Sequence, residues 1–128
     1  MKIEQMSDKL IKYEVGTSVT VDHMRELVKI LEEKLKQQQT FGIIIIRNGD
    51  HQKNPEATKW FNGWLKKNKP LLKQYCVGVA MVTNSDKLLK LYKPLAGIMI
   101  SKMFGCSGEM FTNESDAITW MLGKMRNR

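Results

Sequence analysis

Apolar residues change their spacing repeatedly along the chain, and each change marks an element. Residues 3–6 and 10–15 are short β-prone runs separated by Ser7, Asp8 and Lys9, so the pattern predicts a hairpin. Thr20 stands as an N-cap before Val21, Met24, Leu27, Val28, Leu31 and Leu35, which recur at helical spacing. Phe41 to Ile46 follows with no alternation at all, and four consecutive isoleucines predict a strand buried on both faces. Asn54, Pro55 and Glu56 form a helix start, with an Asn cap, Pro at the first helical position and an acid in the first turn. Ala57, Trp60, Phe61, Trp64 and Leu65 carry that helix forward, and Pro70 is expected to break or kink it near its end.

Residues 77–82 read as a second buried strand, in which Gly78 allows close packing. The polar run 83–86 caps a long apolar segment, residues 88–103, expected as two helical pieces joined at Lys93 and Pro94. A turn over 105–108, a short strand over 109–111 and a final helix with Ala117, Ile118, Trp120, Met121 and Met125 complete the pattern. The resulting order is β-β-α-β-α-β-α-β-α. This is an α/β fold with a mixed, mostly parallel sheet opened by an N-terminal β-hairpin, expected as a single domain over residues 1–128.

Composition narrows the class. The 128 residues are 42% hydrophobic and 27% charged, which suits a globular chain that needs no disulfide or metal to fold. No apolar run is long enough to span a bilayer and no signal-peptide pattern opens the chain, so a cytoplasmic location is expected. Two cysteines, Cys76 and Cys106, make neither a disulfide framework nor a metal-ligand set, and no metal site or cofactor is expected from two histidines and two cysteines.

Charge is unevenly placed. The net +8 lies entirely within residues 53–102, which hold ten lysines against Glu56 and Asp86, while the flanking segments are balanced. Lys59, Lys66, Lys67, Lys87 and Lys90 are the centre of this basic face. Such a face solubilises the chain and attracts phosphates, acidic proteins or anionic lipid head groups. Its lack of arginine weakens the case for nucleic acid, whose bidentate contacts favour the guanidinium, and binding of an anionic membrane surface or nucleic acid through this lysine-rich face stands as the alternative function.

The hairpin ahead of residues 20–22, the buried strand ending at Arg47, the strand 78–82 and the C-terminal run Phe111 to Met121 together resemble the SpoIIAA-like (STAS/SEC14-type) family of small bacterial proteins. The C-terminal run is similar to the family's ending of Phe, acidic stretch, Ala, Trp and an aliphatic residue. Phe111 and Trp120 are expected to lock the last helix onto the sheet. The resemblance implies a STAS-like fold and a binding or regulatory module rather than a catalytic set. Regulatory STAS domains carry a phosphorylatable Ser in the loop after the third strand. Here residues 48–55 hold no Ser or Thr, so that switch does not carry over.

Candidate sites follow from position and chemistry. The loop holding Asn48, Asp50, His51 and Asn54 lies at the C-terminal end of a central strand and leads into a helix N-terminus, a place where open α/β sheets bind ligands. Asp50 and His51 could act as an acid–base pair, but adjacent side chains point apart and no nucleophile stands near, so catalysis is not expected. His23 reads as a surface residue. Trp60 and Trp64 form an aromatic stripe that suits core packing or a pocket wall. Leu88, Tyr92, Leu95, Met99 and Met103 belong to a segment with more apolar residues than one helix face holds. They are expected in part of the core and in a second surface: a homodimer interface, a wall against a lipid-like ligand, a site for a protein partner, or a peripheral contact with an anionic membrane.

Overall fold

The structure, a computed structural model, describes residues 2–16, 18–47 and 54–127. Its elements run β1 (Lys2–Ser7), β2 (Leu10–Val15), α1 (Val21–Lys36), β3 (Phe41–Arg47), α2 (Pro55–Tyr75), β4 (Cys76–Val82), α3 (Asp86–Phe104), β5 (Ser107–Phe111) and α4 (Glu114–Arg126). The order is the one the sequence pattern predicts. The strands lie in the sheet in sequence order, β1-β2-β3-β4-β5. β1 pairs antiparallel with β2, and every later pair is parallel.

That order dictates the layers. Three successive parallel crossovers advance in one direction, and a right-handed crossover then places each helix on the same face. Accordingly α1, α2 and α3 share one apolar layer with Ile11, Tyr13, Phe41, Ile43, Ile45 and Val79. α4, which follows the last strand, packs on the opposite face against Ile44, Ile46, Ala80 and Val82. The isoleucine run of β3 thus serves both layers, Ile43 and Ile45 on one side and Ile44 and Ile46 on the other.

The helix starts are capped by the residues that predict them. Thr20 Oγ1 accepts the His23 backbone N–H at 3.2 Å, and His23 Nδ1 accepts the Thr20 N–H at 3.1 Å. This reciprocal cap satisfies two donors that a helix end otherwise leaves open. Asn54 Oδ1 accepts the Ala57 N–H at 3.1 Å and holds the start of α2. On the α4 face, Phe111 and Trp120 meet with ring centroids 5.7 Å apart, which fixes the last helix as expected. Gly78 makes room for this: a Cβ there would stand 2.9 Å from the Trp120 ring.

Two local expectations are corrected. α3 is one helix through Pro94 rather than two pieces, whereas α2 continues through Pro70 without the break, one of the two outcomes expected there. A proline strips the hydrogen bond from the carbonyl four residues back. Those carbonyls belong to Lys66 and Lys90, on exposed residues, where water can replace the bond. Leu72 beyond Pro70, and Ala96, Ile100 and Phe104 beyond Pro94, stay buried and keep each helix on the sheet. Second, β5 begins at Ser107, so the turn is confined to Gly105 and Cys106, with Gly105 in the left-handed conformation at φ 78°.

Candidate functional site

At the C-terminal ends of the parallel strands, α2 and α3 diverge and leave a cleft of about 840 Å³. Its floor is the sheet: Tyr13, Ile45, Met81 and Met110. One wall is the first half of α2, through Thr58, Phe61 and Asn62, and the other is α3, through Tyr92, Ala96, Met99, Ile100 and Met103. Val15, Val19, Met24, Arg47 and Asn54 close the end nearest α1. The volume falls in the range of roughly 300–1,000 Å³ typical of small-molecule sites.

The lining is apolar with a sparse polar set. Five of the nine methionines line it, so its walls can reshape around a flexible chain. Tyr13 is 6% exposed and its hydroxyl has no hydrogen-bond partner among the described residues. Tyr13 is also one of the residues that line the cleft. Burial pushes its pKa well up, which keeps it a neutral donor. Two cations, Arg47 and Lys59, line the cleft and no described acid does. The N-terminus of α2, with Asn54 and Pro55 at the rim, adds the positive end of a helix dipole.

Of the residues singled out from the sequence, Tyr92, Met99, Met103, Asn54 and Lys59 come together in this cleft. Trp60 and Trp64 do not. α2 is rotated so that Ala57, Phe61 and Leu65 face the sheet, and the tryptophans lie along the seam with α1. Trp60 sits under the Arg25 guanidinium at 5.8 Å, and Trp64 Nε1 donates to Glu32 Oε1 at 2.9 Å. The opposite edge of α2, Thr58 and Asn62, faces the cleft instead. Leu88 is half-buried, while Leu95 lies outward at 52% exposure. Lys66, Lys67, Lys87 and Lys90 are exposed on α2 and α3. Asn48, Asp50 and His51 lie outside the described residues; Arg47 and Asn54, on either side of them, both line the cleft.

Periodicity alone did not single out the floor. Tyr13, Met81 and Met110 read as core positions of strands, and Met24 as a core position of a helix. The one signal was a tyrosine among aliphatic strand residues, since a buried phenol needs somewhere to put its hydroxyl.

A crystal structure of an uncharacterized protein of the DUF3478 family from Shewanella loihica, described as having a SpoIIAA-like fold, superposes on this chain with a TM-score of 0.64. The two are 15% identical, and the match covers 94% of this chain and 90% of that one. This chain has a SpoIIAA-like fold. At that identity the likeness speaks of architecture alone. No family model matches the chain, and no curated protein matches it. Among the described residues of this SpoIIAA-like domain, no group of three or more His, Cys, Asp or Glu side chains could hold a metal ion. No described helix is long and apolar enough to cross a membrane.

Proposed function

We propose that this protein is a binding module, rather than an enzyme, for an amphiphile with an aliphatic chain and an anionic carboxylate or phosphate head. The observation that carries the reading is the cleft between α2 and α3, mostly apolar in its lining, with Lys59 and the N-terminus of α2 among the residues that line it. The aliphatic chain lies along Met81, Met99, Met103 and Met110, where its burial is favourable by about 25 cal/mol for each Å² removed from water. The head sits near Lys59 and the N-terminus of α2. The Tyr13 hydroxyl supplies a neutral donor to an oxygen of the ligand. Loss of one such bond weakens binding by roughly two- to tenfold, from a net worth of about 0.5–1.5 kcal/mol.

Native mass spectrometry of freshly purified protein, followed by organic extraction, tests this reading. One amphiphile per chain, released on denaturation, is the expected result. An unliganded mass that takes up no added long-chain fatty acid would sink it. If that species were a dimer, the apolar face of α3 would instead be an interface between copies.

A second reading has its own observation. Leu91, Leu95 and Ile98 are each more than half exposed, at 56%, 52% and 59%, on the outward face of α3. Lys87 and Lys102 share that arc and Lys90 borders it, as on helices that lie at an anionic bilayer surface with apolar residues inserted and lysines at the head groups. Co-sedimentation with vesicles containing phosphatidylglycerol, but not with phosphatidylcholine alone, is expected, and Leu95→Asp should abolish it. Equal sedimentation of the variant, or none by the wild type, removes this reading.

A further inference from the structure

The chain contains two cysteines, and the fold brings them into contact across 30 positions of sequence. Cys76 opens β4, and Cys106 immediately precedes β5, its parallel neighbour. Gly78 stands opposite Ser107, so Cys106, in the turn just ahead of β5, lies one position out of register with Cys76 on β4. Neither is in a disulfide, and their sulfurs are 3.5 Å apart. The Cys106 thiol donates to the Cys76 sulfur, and the Cys76 thiol donates to the Gly78 carbonyl at 3.5 Å. Cys76 is fully buried, whereas Cys106 is partly exposed. Cys106 is the one of the two residues that reaches solvent, and Cys76 lies behind it.

We propose that Cys106 and Cys76 form a peroxide-responsive dithiol that closes to an intramolecular disulfide. The Cys106 thiolate attacks hydrogen peroxide, the O–O bond breaks, and Cys106 becomes a sulfenic acid as hydroxide leaves and is protonated to water. The Cys76 sulfur then displaces the sulfenic oxygen, which leaves as a second water with the Cys76 proton. The pair is oxidised by two electrons and the peroxide reduced by two. A disulfide needs its sulfurs about 2.05 Å apart and its Cα atoms within about 7 Å, a spacing that neighbouring strands provide. The sulfurs must therefore close by roughly 1.5 Å. Gly105, the left-handed residue before Cys106, lies in the turn that can absorb this movement. The pair sits at the N-terminal ends of β4 and β5, away from the mouth of the cleft, so it stands independently of the ligand reading.

The test is stoichiometric hydrogen peroxide on the full chain, followed by iodoacetamide under denaturing conditions and intact-mass measurement. The expected product takes up no alkyl group, weighs about 2 Da less than the reduced chain, and runs as a monomer without reductant. Its digest links the peptides holding Cys76 and Cys106, and dithiothreitol restores both alkylation sites. Cys106→Ser abolishes the mass loss. Cys76→Ser leaves Cys106 as a sulfenic acid that reacts with dimedone; because Cys76 is buried and that variant can fail to fold, Cys106→Ser decides alone. Two alkylatable thiols after peroxide, a gain of oxygen mass by the wild type, or an interchain disulfide would overturn the proposal.

Discussion

Gly108→Ala should loosen the contact on which α3 rests. Gly108 lies in β5 directly beneath α3, and a Cβ there would stand 2.4 Å from Ile100 Cβ, 2.6 Å from its Cγ2 and 2.7 Å from its Cδ1. Carbon atoms rest at about 3.5–4.0 Å, so the helix must rise by roughly 1 Å. Ile100 cannot swing aside, because a β-branched side chain has one strongly preferred rotamer in a helix. Overpacking of this kind costs about 1–3 kcal/mol, partly offset by roughly 0.5–1 kcal/mol from replacing glycine in the unfolded chain. The net cost is at most about 2.5 kcal/mol, and at about 4 °C per kcal/mol for a domain of this size the melting midpoint should fall by up to roughly 10 °C. Gly63→Ala is the matched control, since nothing lies within 4 Å of a Cβ built there in the middle of α2. It should stabilise by about 0.5–1 kcal/mol. Thermal melts followed by circular dichroism read both. A Gly108→Ala midpoint at or above that of the wild type would refute the reasoning, as would a fall in Gly63→Ala.

Two further predictions concern the core and the cleft floor. Ile44→Ala, at a fully buried position under α4, should cost about 2–5 kcal/mol in urea unfolding, because it removes burial and leaves a cavity between sheet and helix. Tyr13→Phe should leave stability at pH 7 within about 0.5 kcal/mol, since it removes a hydroxyl without a described protein partner, whereas breaking a satisfied buried bond costs about 1–3 kcal/mol. Its effect should appear in alkali. Above about pH 10 the unfolded phenol loses its proton while the buried one keeps it, so the unfolded chain binds fewer protons and stability falls by about 1.4 kcal/mol per pH unit. The contribution is intact below that pH, and Tyr13→Phe should lack this part of the slope between about pH 10 and 11. Equal slopes in urea titrations of the two proteins would contradict a buried Tyr13.

Much of the architecture was legible because it rests on local chemistry. Thr20 and Asn54 announced their helices as caps, the isoleucines of β3 announced a strand covered on both sides, and Phe111 with Trp120 announced the docking of α4. Pro94 misled for a physical reason. It carries a local penalty, but sequence does not reveal that the carbonyl it orphans belongs to an exposed residue while the residues beyond stay buried on the sheet. The cleft was half legible. Tyr92, Met99 and Met103 stood out as surplus apolar positions on α3. Trp60 and Trp64 carried the same kind of signal and turned to the α1 seam, because an apolar stripe fixes which arc of a helix is covered but not which neighbour covers it. Tyr13, Met81 and Met110 on the floor, and the meeting of Cys76 with Cys106, depend on which strands lie side by side. Nothing in the residues themselves states that adjacency.

Titration of an environment-sensitive fluorescent long-chain fatty acid into the wild type and into Ala96→Trp tests the central claim most directly. Ala96 lines the cleft and is 3% exposed, so an indole there occupies the space assigned to the aliphatic chain. The account predicts saturable binding of one probe per wild-type chain, and at least about tenfold weaker binding by a variant that circular dichroism shows to be folded, equivalent to about 1.4 kcal/mol. Equal affinity in the two proteins, or no saturable binding by the wild type, would contradict it.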